Sequence, residues 1–201
     1  MSHDRGGFPS FVVAQPKPGY VRFLAAMRRL QDLSVSADLD DATWTTVATA
    51  VEKLVAELEP AVVPEGVAPA GRIPSMPGMG SLLLPPFRLA HYGPDGVELR
   101  GQFSRFHVGG NAAVHGGVLP LLFDWLCGLI VHGAARPISR TAYLKVDYRA
   151  VTPIDAPLIV RGRVDQVDGR KAFISGELVD SDGTLLAELH ALMVQLLPGQ
   201  P

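Results

Sequence analysis

With a single cysteine, Cys127, the chain cannot close an internal disulfide, which fits a reducing, cytoplasmic setting. Its formal net charge is only -2, and it has no block of basic residues. Nothing in it predicts nucleic acid as a partner. The opening Met-Ser-His-Asp-Arg-Gly-Gly has no apolar segment behind a basic start, so no secretory leader is expected. His91, His107 and His190 show no metal-ligand spacing, and neither a metal nor a cofactor is expected. Asparagine occurs once, at Asn111. Only one apolar run is long, Val118 to Ala135. Asp124 within it, the prolines and glycines nearby and the strands after it argue against a membrane span.

That run organises the chain. Apolar residues fall on every face of it at helical spacing, which predicts a buried helix roughly 27 Å long. Asp124 is its one acidic residue. A carboxylate inside such a helix is costly unless something pairs with it or uses it. Before the helix stands Asn111-Ala-Ala-Val-His115-Gly116-Gly117. Two glycines permit close approach by a ligand, and Pro120 suits a first helical turn. Unpaired amides and the positive end of the helix dipole would then favour negative charge on a carbonyl oxygen. Asp124 lies seven residues beyond Gly117, about two turns along. Two copies packed side by side would let the carboxylate of one face the amides of the other.

These residues resemble the hotdog-fold acyl-CoA thioesterases of the phenylacetate-pathway and thioesterase-superfamily-member type. The resemblance rests on His115-Gly116-Gly117, on Asp124 nine positions after the histidine, and on Thr141 in the next strand. Leu144 to Arg149 looks like the family's following strand, leading to the turn Val151-Thr152-Pro153. It covers roughly Leu82 to Leu197. Family members often carry Asn or Gln about six positions before the histidine. Gly109 stands there, and Asn111 is four positions before it. The resemblance implies an α+β hotdog fold, with an antiparallel sheet wrapped around a long central helix. It also implies an acyl-CoA substrate and a homodimer with shared active sites, a tetramer being left open.

The remaining chain divides into an N-terminal helical hairpin extension over 1–60, a Pro-rich linker over 61–86 and a hotdog domain over 87–201. Residues 1–19 read as irregular. Gly19 to Leu33 carries one apolar face, and about Asp40 to Glu59 carries another through Trp44, Val47, Val51, Leu54 and Leu58. The pair predicts an antiparallel hairpin, packed on the main domain or across a dimer. The prolines of the linker predict an extended surface connection, with a flap over Pro74 to Gly80 as the alternative. Strands are expected at 87–92, 97–106, 141–149, 157–167, 170–180 and 184–197. Asp168-Gly169 and Asp182-Gly183 are strong hairpin signals.

Each candidate residue has a plainer alternative. Asp124 reads as general base or nucleophile, against a structural carboxylate bonded to backbone. His115 reads as loop-orienting rather than as a base. Asn111 either contacts the thioester or suits a turn with positive φ. Thr141 either holds water or Asp124, or is an ordinary β-branched strand residue. His132 shares a helix face with Asp124, and Trp125 and Cys127 read as packing. Gly116, Arg149 and the turn Gly169-Arg170-Lys171 are candidates for binding substrate, the cations through coenzyme A phosphates, against solvated surface charge. The expected function is acyl-CoA hydrolysis, with the Gly117 amide polarising the thioester carbonyl. The alternatives are a non-catalytic acyl-CoA-binding hotdog protein and an acyl-CoA hydratase.

Overall fold

The computed structural model describes residues 12–200 apart from 65. The sequence reading of a missing leader falls on residues outside that range. Two helices come first, α1 (Pro18–Ser34) and α2 (Asp41–Leu58). Then β1 (Arg88–Gly93), β2 (Gly96–Gly101), β3 (Val108–Gly110) and β4 (Ala113–Val114) precede α3 (Val118–Gly133). After it run β5 (Ser139–Tyr148), β6 (Leu158–Asp168), β7 (Lys171–Asp180) and β8 (Leu185–Gln195). Six strands form one antiparallel sheet in the order β1-β2-β6-β7-β8-β5, and β3 pairs with β4 separately. The expected strands are present within a few residues, with one shortened. The stretch predicted as one strand to Phe106 stops at Gly101. There an added Cβ would lie 2.7 Å from the Cα of Phe87. The chain then turns to bury Phe103 completely.

α3 lies on one face of this sheet. Leu119, Leu122, Phe123, Leu126, Cys127 and Ile130 are buried against strand residues such as Leu99, Val160 and Leu189. Two glycines set the spacing. Gly162 of β6 pairs with Gly176 of β7. A Cβ on Gly162 would meet the Ser175 carbonyl oxygen at 2.6 Å and Ile130 at 3.0 Å, and one on Gly176 would meet the Arg161 oxygen at 2.9 Å. The helix therefore rests over a glycine pair where a larger residue has no room. Burial pushes the Cys127 thiol up to about 12, with the charge of Asp124 adding to the shift.

Three expectations need correction. α3 is two residues shorter than predicted, because Ala135 takes a left-handed φ of +53°. Nor is it buried all round: Asp124, Gly128 and His132, spaced four apart, form an exposed face in the single chain. The N-terminal pair forms two helices but no packed hairpin, for α2 buries no residue and is exposed along almost its whole length. Asp40 caps it by accepting from the Thr43 amide at 2.8 Å. α2 thus has a sound start and an unused apolar face.

The proline-rich stretch is also more than a surface connection. Ile73 and Met76 are buried with Leu24 of α1, and Tyr20, Phe23 and Leu82 pack around them. Arg28 donates to the carbonyls of Ser81 (2.7 Å) and Leu84 (3.1 Å), and Tyr20 donates to that of Gly80 (2.9 Å). Backbone that prolines and glycines bar from helix and strand finds its partners in α1 instead. The Pro74 to Gly80 segment is held in a second small core.

Candidate active site

The chain enters α3 through a hairpin and a tight loop. β3 and β4 are joined by Asn111 (φ +49°) and Ala112 (φ +56°), the two left-handed residues of a primed turn. Asparagine tolerates that conformation and alanine does not, so Ala112 carries strain. Ala112→Gly is expected to raise stability by about 0.5–1 kcal/mol, the relief exceeding the entropic cost of glycine. A higher urea midpoint at unchanged slope is the readout. Asn111 is exposed and shapes the turn.

Gly109 explains the departure from the family pattern. An added Cβ would lie 2.8 Å from the Cα of His115. β3 therefore presses on the His115 backbone, and the amide side chain common in the family has no room.

A relay of hydrogen bonds fixes the loop from the N-terminal side. Asp32 of α1 accepts from the Phe106 amide at 3.0 Å, and the His107 carbonyl accepts from the His115 amide at 2.8 Å. Nδ1 of His115 then accepts from the Gly117 amide at 3.0 Å, and the His115 carbonyl accepts from Val118 at 2.9 Å. The accepting nitrogen carries no proton, which puts the ring proton on Nε2. The amide that the sequence assigns to the thioester is thus engaged by His115 in the single chain. Tyr148, at the end of β5, donates to the Gly116 carbonyl at 2.7 Å and holds the loop from the other side.

His107 is the half-buried joint of this relay. Burial lowers its pKa, the Ser104 backbone contact opposes the shift, and Arg28 adds to it. A histidine held neutral contributes stability that is present above its unfolded pKa and lost as pH falls through the lowered folded value. Melting temperature is expected to drop on acidification below about pH 6.5, the unfolded histidine value. His107→Gln is expected to flatten part of that drop.

Asp124 projects from the exposed face of α3, and Thr141 Oγ1 donates to its Oδ1 at 2.7 Å. Met193 Sδ stands 3.2 Å from the same hydroxyl. The pair forms within one chain, across a helix and the edge strand β5. Asp124 and Gly117 are seven residues apart, about 10 Å along the helix axis. One thioester carbonyl cannot touch both in the same chain.

The candidate coenzyme-binding cations are not brought together. Arg149 follows β5, forms an ion pair with Glu188 and donates its backbone amide to the Leu186 carbonyl. Arg170 donates to the Gln195 carbonyl at 3.0 Å, and Lys171 pairs with Val194. Leu186 and Gln195 lie nine residues apart on β8, about 30 Å. Gly169 (φ +54°) shapes the turn beside Arg170, and its carbonyl accepts from Arg136 at 3.3 Å. Sequence reasoning missed Asp32, His107 and Tyr148. Asp32 and Tyr148 act through contacts 74 and 32 residues apart in sequence, and His107 through its backbone carbonyl, which leaves no local side-chain signature.

A six-stranded antiparallel sheet folded on one helix, with a His-Gly-Gly loop at the helix start and an aspartate in it, defines the hotdog class. Residues 111–187 match the model of the thioesterase superfamily. The acyl-coenzyme A thioesterase THEM4 of Rattus norvegicus is 30% identical over 89 residues, covering 44% of this chain and 38% of that protein. The Xenopus laevis THEM4 is 30% identical over 93 residues, covering 42% and 38%. The chain thus spans under two-fifths of the length of these curated relatives. A crystal structure of a thioesterase superfamily protein matches with TM-score 0.78 and 25% identity, over 90% of this chain and 98% of that one. A hypothetical thioesterase from Streptococcus pneumoniae TIGR4, solved with coenzyme A, shares the fold at TM-score 0.51 and 16% identity, over 54% and 86%. None of the described helices is long and apolar enough to cross a membrane.

Proposed function

We propose that the protein hydrolyses acyl-CoA thioesters to free acid and coenzyme A at sites shared by two copies. The Asp124–Thr141 pair, which joins the exposed face of α3 to β5, carries the reading. Asp124 acts as general base on water or as nucleophile, and Thr141 orients its carboxylate. The carbonyl is polarised by the Gly117 amide of the other copy, a separation that the helix geometry requires. The thioester oxygen takes that amide in place of Nδ1 of His115, whose ring holds it oriented beforehand. His115, Gly116 and Asn111 shape the loop. Arg170 and Lys171, beside Gly169, meet coenzyme A phosphates, whereas Arg149 is spent on its ion pair. The catalytic domain is 87–201, and the compartment is the cytoplasm, where one buried thiol stays reduced.

The supporting observations are the superfamily match, the acyl-CoA thioesterase relatives and the coenzyme A-bound fold neighbour. The test is thiol release from a panel of fatty and aromatic acyl-CoAs, with the protein sized in parallel. Hydrolysis by a dimer or larger assembly is expected. Binding without turnover would leave an acyl-CoA-binding module, hydration of crotonyl-CoA without free thiol would leave a hydratase, and a fully active monomer would sink the shared site.

A further inference from the structure

We propose that α2 is an intermolecular arm, and that its apolar face docks on the outer face of α1 in a second copy of this chain. On α2, Trp44, Val51 and Leu58 recur every seven residues with Val47 and Leu54 between them. That is the narrow seam of a helix built to meet one other helix. Trp44 is 37% exposed, Val51 38%, Val55 49% and Leu58 47%. A solvated stripe of this size on a well-capped helix leaves burial unused.

Charge selects the occupant. At 100° per residue, Asp41 and Glu52 border the seam on one side and Glu57 on the other, while Lys53 points away. Two copies of α2 laid together would set these acids against one another. α1 is the opposite. Its inner face holds Leu24 against the second core, and its exposed face carries Arg22 and Arg29 seven residues apart, with Ala25, Ala26 and Leu33 beside them. Small side chains let a helix approach closely, and the arginine stems add apolar cover while their heads meet Glu52 and Glu57. The sequence predicts a hairpin of these two helices, and within one chain they do not pack. The complementary faces are therefore free for exchange between copies.

The experiment uses full-length chains and reads assembly rather than catalysis, so it stands or falls apart from the thioesterase reading. One population carries Ala26→Cys, the other Val51→Cys, and both are mixed under mild oxidation. The native Cys127 is buried and its thiol is held neutral, which keeps it out of the exchange. A disulfide-linked pair of one copy of each kind is expected. Arg22→Glu with Arg29→Glu in the first population should lower its yield about fivefold, the size of two exposed ion pairs. Adding Glu52→Lys and Glu57→Lys to the second should restore it. Three results would overturn the proposal. They are rapid linkage within single chains of a double Ala26→Cys, Val51→Cys variant run as a control while the mixture yields no mixed pair, linkage of Val51→Cys copies to each other in preference, and no linkage in any mixture.

Discussion

Asp124→Asn is expected to lower acyl-CoA turnover by about 10²–10⁴-fold, the usual worth of a positioned acid–base group. Asparagine keeps the shape and can still accept from Thr141 Oγ1, so the helix and the edge of the sheet stay in place. It can neither take a proton from water nor attack a thioester. Asp124 lies on the exposed face of α3, outside the core, so its replacement carries no cavity cost. Thr141→Val is expected to cost less, about tenfold, because it removes one hydrogen bond to a charged group. A fall in kcat with little change in KM would place both in the chemical step. Equal turnover by Asp124→Asn and the wild type would remove the aspartate from the mechanism.

Gly162→Ala is expected to be the most damaging single methyl in the domain, destabilising by about 1–3 kcal/mol toward the upper end. The added carbon would sit 2.6 Å from the Ser175 carbonyl oxygen and 3.0 Å from Ile130. Ile130 has a side chain that can move. Ser175 is held by the β6–β7 ladder and cannot move without breaking register with Arg163. The strand must part locally or α3 must lift. A lower urea midpoint at unchanged slope checks it, and Ile130→Val in the same chain should rescue little. Full rescue would show that the side chain, not the ladder, sets the limit.

The sheet was legible wherever short-range chemistry decides. Asp168-Gly169 and Asp182-Gly183 announced their hairpins, and the glycines take φ of +54° and +84° there. The central helix was legible from its apolar length, and Asp124 stood out because it interrupts that length. What the sequence hid depends on distant neighbours. Gly109 reads only as a departure from the family pattern until His115 is seen against it. The prolines around Ile73 and Met76 masked a second core, because periodicity is the usual mark of buried residues and these have none. α2 gave a correct helix and a misleading partner, since an apolar stripe says that something covers it and not which chain supplies the cover. The candidate site was read from residue types and spacing. The engagement of the Gly117 amide by His115 was not, because it turns on a side-chain orientation.

Thiol release from one good acyl-CoA substrate, by wild type and Asp124→Asn side by side at matched fold and assembly size, bears most directly on the proposed activity. Release by the wild type and its near-complete loss in the variant is the predicted result. Undiminished release by the variant would contradict the account.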